Sequence, residues 1–148
     1  MKKSTTIKAP KAKVAQTKNV APIGHGVGRR KTAVARVWLR PGTGKIVVNG
    51  EEFNTYFDTE VTRLEASAPF RLLPFGSSFD VDVNVAGGGL CAQADAVKLG
   101  TARALLAQDE SIRSQLREFD FLTVDSRRKE RKKYGQKAAR RKFQFVKR

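Results

Sequence analysis

The distribution of charge along this chain of 148 residues constrains it more than any single motif does. Residues 126–148 carry twelve lysines and arginines against one acid, Glu130. Fixing one residue's backbone costs about 1–2 kcal/mol, so ordering this segment costs on the order of 25–45 kcal/mol. Its large apolar groups are Tyr134, Phe143, Phe145 and Val146, and full burial returns only about 1.5–3 kcal/mol for each. Burial loses, and repulsion among the cations widens the deficit. Such a tail is disordered by itself, or it is ordered by a partner that meets many of its cations with charge-assisted hydrogen bonds.

The rest of the chain repeats the segregation. Residues 1–50 hold twelve cations and no acid, and residues 51–125 hold six cations against thirteen acids. The net charge of +16 therefore sits in two basic arms around a mildly acidic body, where a merely soluble protein would intersperse its signs. Arms of this kind ask for a polyanion. Nucleic acid fits better than an anionic membrane, because neither arm has the amphipathic period of a helix that inserts. No apolar run approaches the length of a spanning helix, and the N-terminus lacks the apolar stretch of a secretory signal, so a soluble, unexported protein is expected. One cysteine, Cys91, leaves no internal disulfide and suits a reducing compartment. At this size one core is expected. The divisions are a basic extension over 1–23, a globular unit over 24–125 and an extended basic tail over 126–148.

Within the globular unit a glycine-rich loop, "GHGVG", leads into an alternating segment. Ala33, Ala35, Val37 and Leu39 share one face, and Thr32, Val34, Arg36, Trp38 and Arg40 the other, the period of a half-buried strand. "PGTG" then predicts a turn into a second strand, "KIVVN", the two forming a hairpin. "EEFNTYF" and "TEVTRLEASA" read as short helical turns, the second ending before Pro69. "FDVDVNV" alternates cleanly, with Phe79, Val81, Val83 and Val85 inward. After Gly87, Gly88 and Gly89 comes a long small-residue helix, and Asp109–Ser111 caps a further one with Ile112, Leu116 and Phe119 on its stripe. The fold class is α+β, a two-layer sandwich with a small, mostly antiparallel sheet and helices on one face.

Enzymatic readings are weak. "GGGLCA" between strand and helix gives a partial dinucleotide fingerprint, but the residues up to Asp109 read as helix instead of the second strand that the motif needs. His25, the sole histidine, has no carboxylate or nucleophile in its segment. Cys91 reads as a small packed side chain. No metal-ligand spacing appears, and no cofactor is expected. The basic focus "GRRK" is a solvated loop or a polyanion contact, and Trp38 either stacks on a base or covers the edge of the core.

Taken in order, "GVGRRKTAVARVWLRPGTGKIVVNG", "YF", "VAGGGLCAQADAVKLGTARALL" and "DSRRKERKKYGQKAARRKFQFVKR" resemble small-ribosomal-subunit protein nine of the bacterial and organellar type, from about Gly24 to Arg148. That resemblance implies a structural, non-catalytic protein in the head of the small subunit, with a left-handed βαβ crossover in its sandwich. It implies cytoplasmic ribosomes before organellar ones. It also implies binding to small-subunit rRNA through Arg29, Arg30 and Lys31, through Gly87, Gly88 and Gly89, and through the tail residues Arg127, Arg128, Lys129, Arg131, Lys132, Lys133, Tyr134, Lys137, Arg140, Arg141, Lys142 and Phe145. The terminal Lys147 and Arg148 are implied to reach phosphates of the peptidyl-site tRNA, and neighbouring ribosomal proteins are the other implied partners; no small-molecule substrate and no membrane is implied.

Two departures from the family pattern matter. The tail has Phe143 and Val146 where the family commonly has proline and serine, so a hydroxyl contact is lost while both terminal cations remain. Ala92 stands where the family usually has glycine. Competing readings are a free nucleic-acid chaperone that uses the same arms and a phosphate-handling enzyme built on Gly87–Gly89 and His25. Co-migration with small subunits separates the first from the ribosomal reading, and nucleotide affinity separates the second.

Overall fold

In a computed structural model, residues 21–73 and 78–144 are described. The chain forms strands β1 (Gly24–Arg30), β2 (Ala33–Pro41), β3 (Ile46–Val48) and β4 (Glu51–Glu52), then helices α1 (Phe53–Tyr56) and α2 (Glu60–Leu72). Strand β5 (Phe79–Ala86), helix α3 (Leu90–Gln108), a 3-10 turn (Glu110–Ile112) and α4 (Arg113–Glu118) follow. The five strands lie in the order β1-β2-β5-β3-β4, with every neighbouring pair antiparallel except β3 and β5. The parallel pair is joined through β4, α1 and α2, a βαβ crossover. This is the expected α+β sandwich. Among the described residues no helix is long and apolar enough to cross a membrane.

The alternation in β2 and β5 does what its period predicts. Ala33, Ala35, Val37 and Leu39 are at most 1% exposed and face a core shared with Val81, Val83 and Val85. Helix α3 lies on this face, across β1 and β2, and α2 packs against α3. Ala94, Ala96, Val97, Ala104 and Leu105 supply the helix's share of the core. Small residues there bring helix and sheet backbones close together, and the three glycines of β1 complete that approach. A Cβ on Gly28 would stand 1.8 Å from the Ala96 carbonyl oxygen, one on Gly26 2.1 Å from that of Gly100, and one on Gly24 2.5 Å from that of Ala104.

Those glycines correct one expectation, since "GHGVG" is an edge strand and not a loop. Every second residue had to be glycine for α3 to seat on it. A second correction concerns the hairpin. β2 does not pair with β3, because β5 inserts between them and takes β2 in antiparallel and β3 in parallel register. The "PGTG" turn is still built, with the Asp80 carboxylate accepting the Thr43 and Lys45 amides at 2.8 and 3.0 Å.

Third, α2 runs through Pro69 to Leu72. Proline removes a helical donor, but the Pro69 ring is fully buried and Ala66 and Leu73 flank it in the core, so packing offsets the lost bond. From the first turn of α2, Arg63 donates to the carbonyls of Asn54, Phe57 and Asp58 and ties down the loop from α1. Cys91 is exposed, contrary to expectation. The phase of α3 turns Ala92 inward in its place, at 7% exposure. Asp109 accepts the Ser111 amide at 2.9 Å as expected, and Ile112 and Leu116 are buried, whereas Phe119 is half exposed.

Candidate nucleic-acid interface

Strands β1 and β2 are joined at Lys31 and Thr32, and Lys31 takes the left-handed conformation at φ 53°. This two-residue turn sits beside the turn that leads from β5 into α3. Gly87 and Gly88 have φ of 77° and 67°, and a Cβ on Gly87 would lie 2.5 Å from the Thr32 carbonyl oxygen. Only glycine meets both demands. The second turn is held from the far side of the sheet. Asn49, itself at φ 52°, pairs with the Val85 backbone through two bonds of 2.9 Å. Tyr56 donates to Gln93 at 2.8 Å, and Gln93 donates to the Gly87 carbonyl at 3.1 Å. Gly89, with nothing near its Cβ position, ends the turn as an N-cap without a side-chain bond. The first amides of a 19-residue helix thus begin beside Lys31, an arrangement that favours an anion.

The tail leaves from the same region. Arg30, at the end of β1, forms ion pairs with Asp95 at 3.2 Å and Asp125 at 3.0 Å, and donates to the Arg127 carbonyl at 2.9 Å. Its side chain is only 14% exposed. Arg127 grips the same Asp125 at 2.6 Å. The hydrogen bonds from Arg127 hold the Asp125 carboxyl well below the usual carboxylate range, with Arg30 a smaller contributor. Between these groups, α3 and residues 120–127 lies a cavity of about 280 Å³, lined by Arg29, Arg30, Asp95, Lys98, Phe121 and Asp125 among others. Lys98 pairs with Glu65 and stands 5.7 Å from the centroid of the Phe121 ring. With Asp95 and Asp125 already matched to cations, this cavity serves as the joint between body and tail.

Beyond Asp125 the described chain has no helix or strand. Glu130, the lone acid, holds Arg140, which keeps the Glu130 carboxyl below its ordinary value. Arg131 donates to the neighbouring Lys132 carbonyl. Arg128, Lys129, Lys132, Lys137, Arg141 and Lys142 are exposed, and among the described residues their side chains have no ion-pair or hydrogen-bond partner; Lys133, also exposed, interacts electrostatically with Glu130. Tyr134 and Phe143 are 95% and 62% exposed. Rings standing free among unpaired cations are the elements of contact with unpaired bases and phosphates.

The structure therefore brings Arg29, Arg30, Lys31, Gly87–Gly89 and Arg127 to one end of the sheet, with the remaining tail cations leading away from it. Phe145, Val146, Lys147 and Arg148 lie outside the described residues, as do residues 1–20 of the N-terminal extension. Sequence reasoning did not find Asp95 and Asp125, whose partner Arg30 is far away in the chain, or the chain of bonds from Asn49 to Gln93. His25 lies on β1 with its ring 5.4 Å from that of Trp38. Among the described residues no cluster of three or more ligating side chains is placed to hold a metal.

Residues 28–148 match the family described as ribosomal protein S9/S16. The chain belongs to that family. Among curated relatives, the small ribosomal subunit protein uS9 of Cytophaga hutchinsonii is 49% identical over 124 residues, covering 84% of this chain and 97% of the relative. The family is one of structural ribosomal proteins and not of enzymes, so the chain is an RNA-binding structural constituent of the small ribosomal subunit. The matched region takes in both turns and the whole tail.

Proposed function

We propose that the chain binds rRNA of the small-subunit head with the end of its sheet and its tail, and reaches peptidyl-site tRNA with its last two residues. The observation that carries this reading is the convergence of the Lys31 turn, the Gly87–Gly89 turn and the root of the tail. Arg29 and Lys31 are exposed there, and the bare start of α3 adds amides for a phosphate. Arg30 is engaged with carboxylates, so its part is to fix where the tail departs. Arg127 shares that role, while Arg128, Lys129, Arg131, Lys132, Lys133, Lys137, Arg140, Arg141 and Lys142 follow phosphates and Tyr134 and Phe145 meet bases. Glu130 releases Arg140 when a phosphate competes, since a solvent-exposed pair is weakly held. Neighbouring proteins of the head complete the surroundings, on cytoplasmic ribosomes.

Lys147 and Arg148 supply point charges that hold a tRNA backbone without reading its sequence. Deleting both is expected to weaken peptidyl-site tRNA binding by about tenfold or more, equivalent to one charged hydrogen bond of about 1.5 kcal/mol. Assembly should stay close to normal. Filter binding of tRNA to purified subunits, beside sedimentation of the same preparation, measures both. Loss of assembly would make the tip an rRNA anchor and refute its assignment to tRNA.

A further inference from the structure

The face of the sheet turned away from α3 is uncovered among the described residues, and its chemistry is unlike that of either edge. The strand registers set its side chains in rows: Arg29 beside Val34 and Ala86, Val27 beside Arg36 and Asn84, and His25 beside Trp38 and Asp82. The His25 and Trp38 rings lie 5.4 Å apart with their planes tilted by 40°. Next to Trp38 along β2, a shallow cavity of about 170 Å³ is lined by Val34, Arg36, Asn84 and Ala86. Arg29 and Arg36 occupy diagonal positions on neighbouring strands, which places them within reach of one extended ligand. Both are exposed and neither has an ion-pair or hydrogen-bond partner among the described residues.

The carboxylates of this face are engaged. Asp80 accepts the amides of Thr43 and Lys45, and Asp82 lies 4.0 Å from Arg40. The half of the face formed by β1 and β2 is thus cationic and aromatic, with an amide, Asn84, at the border. We infer that it is a second RNA-binding surface, meeting the first only at Arg29, which takes a short unpaired stretch. One base stacks on the His25–Trp38 pair, a neighbouring base enters the hollow beside Asn84, and Arg29 and Arg36 meet the phosphates.

Charge complementarity selects this occupant. Arginine forks suit phosphates, and aromatic rings on an open sheet accept any base with a free face. The chain's own first 20 residues contain lysines and no acid, so they cannot neutralise Arg29 and Arg36. A paired helix offers no free base faces to the rings. This inference rests on the RNA-binding reading above, and the test keeps the two apart.

Trp38 is the sole tryptophan, so its fluorescence reports on this face alone. The full chain is titrated with a labelled single-stranded oligouridylate and, separately, with an RNA duplex of the same length, while RNA anisotropy and Trp38 emission are followed together. The single strand is expected to quench Trp38, and the duplex to raise anisotropy with little quenching. Combining His25→Ala with Arg36→Ala, both at exposed positions, is expected to move the quenching midpoint for the single strand at least fivefold, the low end for loss of one stacked base. Duplex binding should be unchanged. Single-stranded binding without quenching would overturn the inference, giving the face to the N-terminal extension or to a neighbouring protein, while leaving the tail as an RNA binder. If neither RNA binds, the broader reading is overturned as well.

Discussion

Replacing Gly28 with alanine probes the contact on which the fold depends. The new Cβ would stand 1.8 Å from the Ala96 carbonyl oxygen and 2.5 Å from the Gly100 nitrogen, far inside van der Waals contact. Both obstacles are backbone, so no side chain can swing away. Relief requires α3 to lift, and its buried Ala96, Val97 and Ala104 resist that. Overpacking of this kind costs typically 1–3 kcal/mol and sometimes more, and the upper end applies because a whole helix must move. Alanine recovers about 0.5–1 kcal/mol of the conformational entropy that glycine loses in a strand. The net loss is therefore about 2 kcal/mol or more. For a folded unit of this size that lowers the melting temperature by about 8–16 °C, or the urea midpoint by about 0.7–2 M. Melts followed by circular dichroism should rank the variants Gly28→Ala, Gly26→Ala, Gly24→Ala from worst to mildest, following distances of 1.8, 2.1 and 2.5 Å to the nearest α3 carbonyl oxygen. A Gly28→Ala protein as stable as the parent, or no worse than Gly24→Ala, would refute the seating of α3 on β1.

The joint at the root of the tail has a pH signature. The Asp125 carboxyl is held low, so its contribution to stability is fully present above the ordinary carboxylate value near 3.9, shrinks progressively as the pH falls below that value, and is gone once the lowered folded value is crossed. Carboxyl NMR should find it ionised well below its ordinary midpoint. Arg127→Ala should raise that midpoint more than Arg30→Ala does, because Arg127 is the larger cause; native titration near 3.9 would contradict the joint. In the core, the Thr101 hydroxyl is fully buried and has no hydrogen-bond partner among the described residues. Thr101→Val should stabilise the chain by about 1 kcal/mol, and a destabilised variant on urea titration would reveal a partner for that hydroxyl.

The sequence displayed those elements whose side chains report their surroundings. "FDVDVNV" and the segment around Trp38 alternate because one face meets the core, so β5 and β2 were legible residue by residue. β1 was hidden because glycine has no side chain to alternate, although its spacing at every second position was itself the signal of one crowded face. Pairing was less legible than identity. The "PGTG" turn argued for a local hairpin, and nothing in it announces that β5, nearly forty residues further on, lies between β2 and β3. At the interface, positive charge was visible but its employment was not. Arg29, Arg30 and Lys31 are one basic run in sequence, yet in the fold Arg30 turns to Asp95 and Asp125 while its neighbours face outward.

The two edges of the sheet bear on how such a chain survives before it meets RNA. β4 offers only two residues to another strand. At the opposite edge, the Val27 carbonyl of β1 already takes a hydrogen bond from Arg103 at 2.7 Å, and the glycines give little side-chain surface to zip against. A sheet with both margins blunted resists edge-to-edge polymerisation. A newly made subunit of a large assembly can then wait in solution for its RNA without templating aggregates of itself.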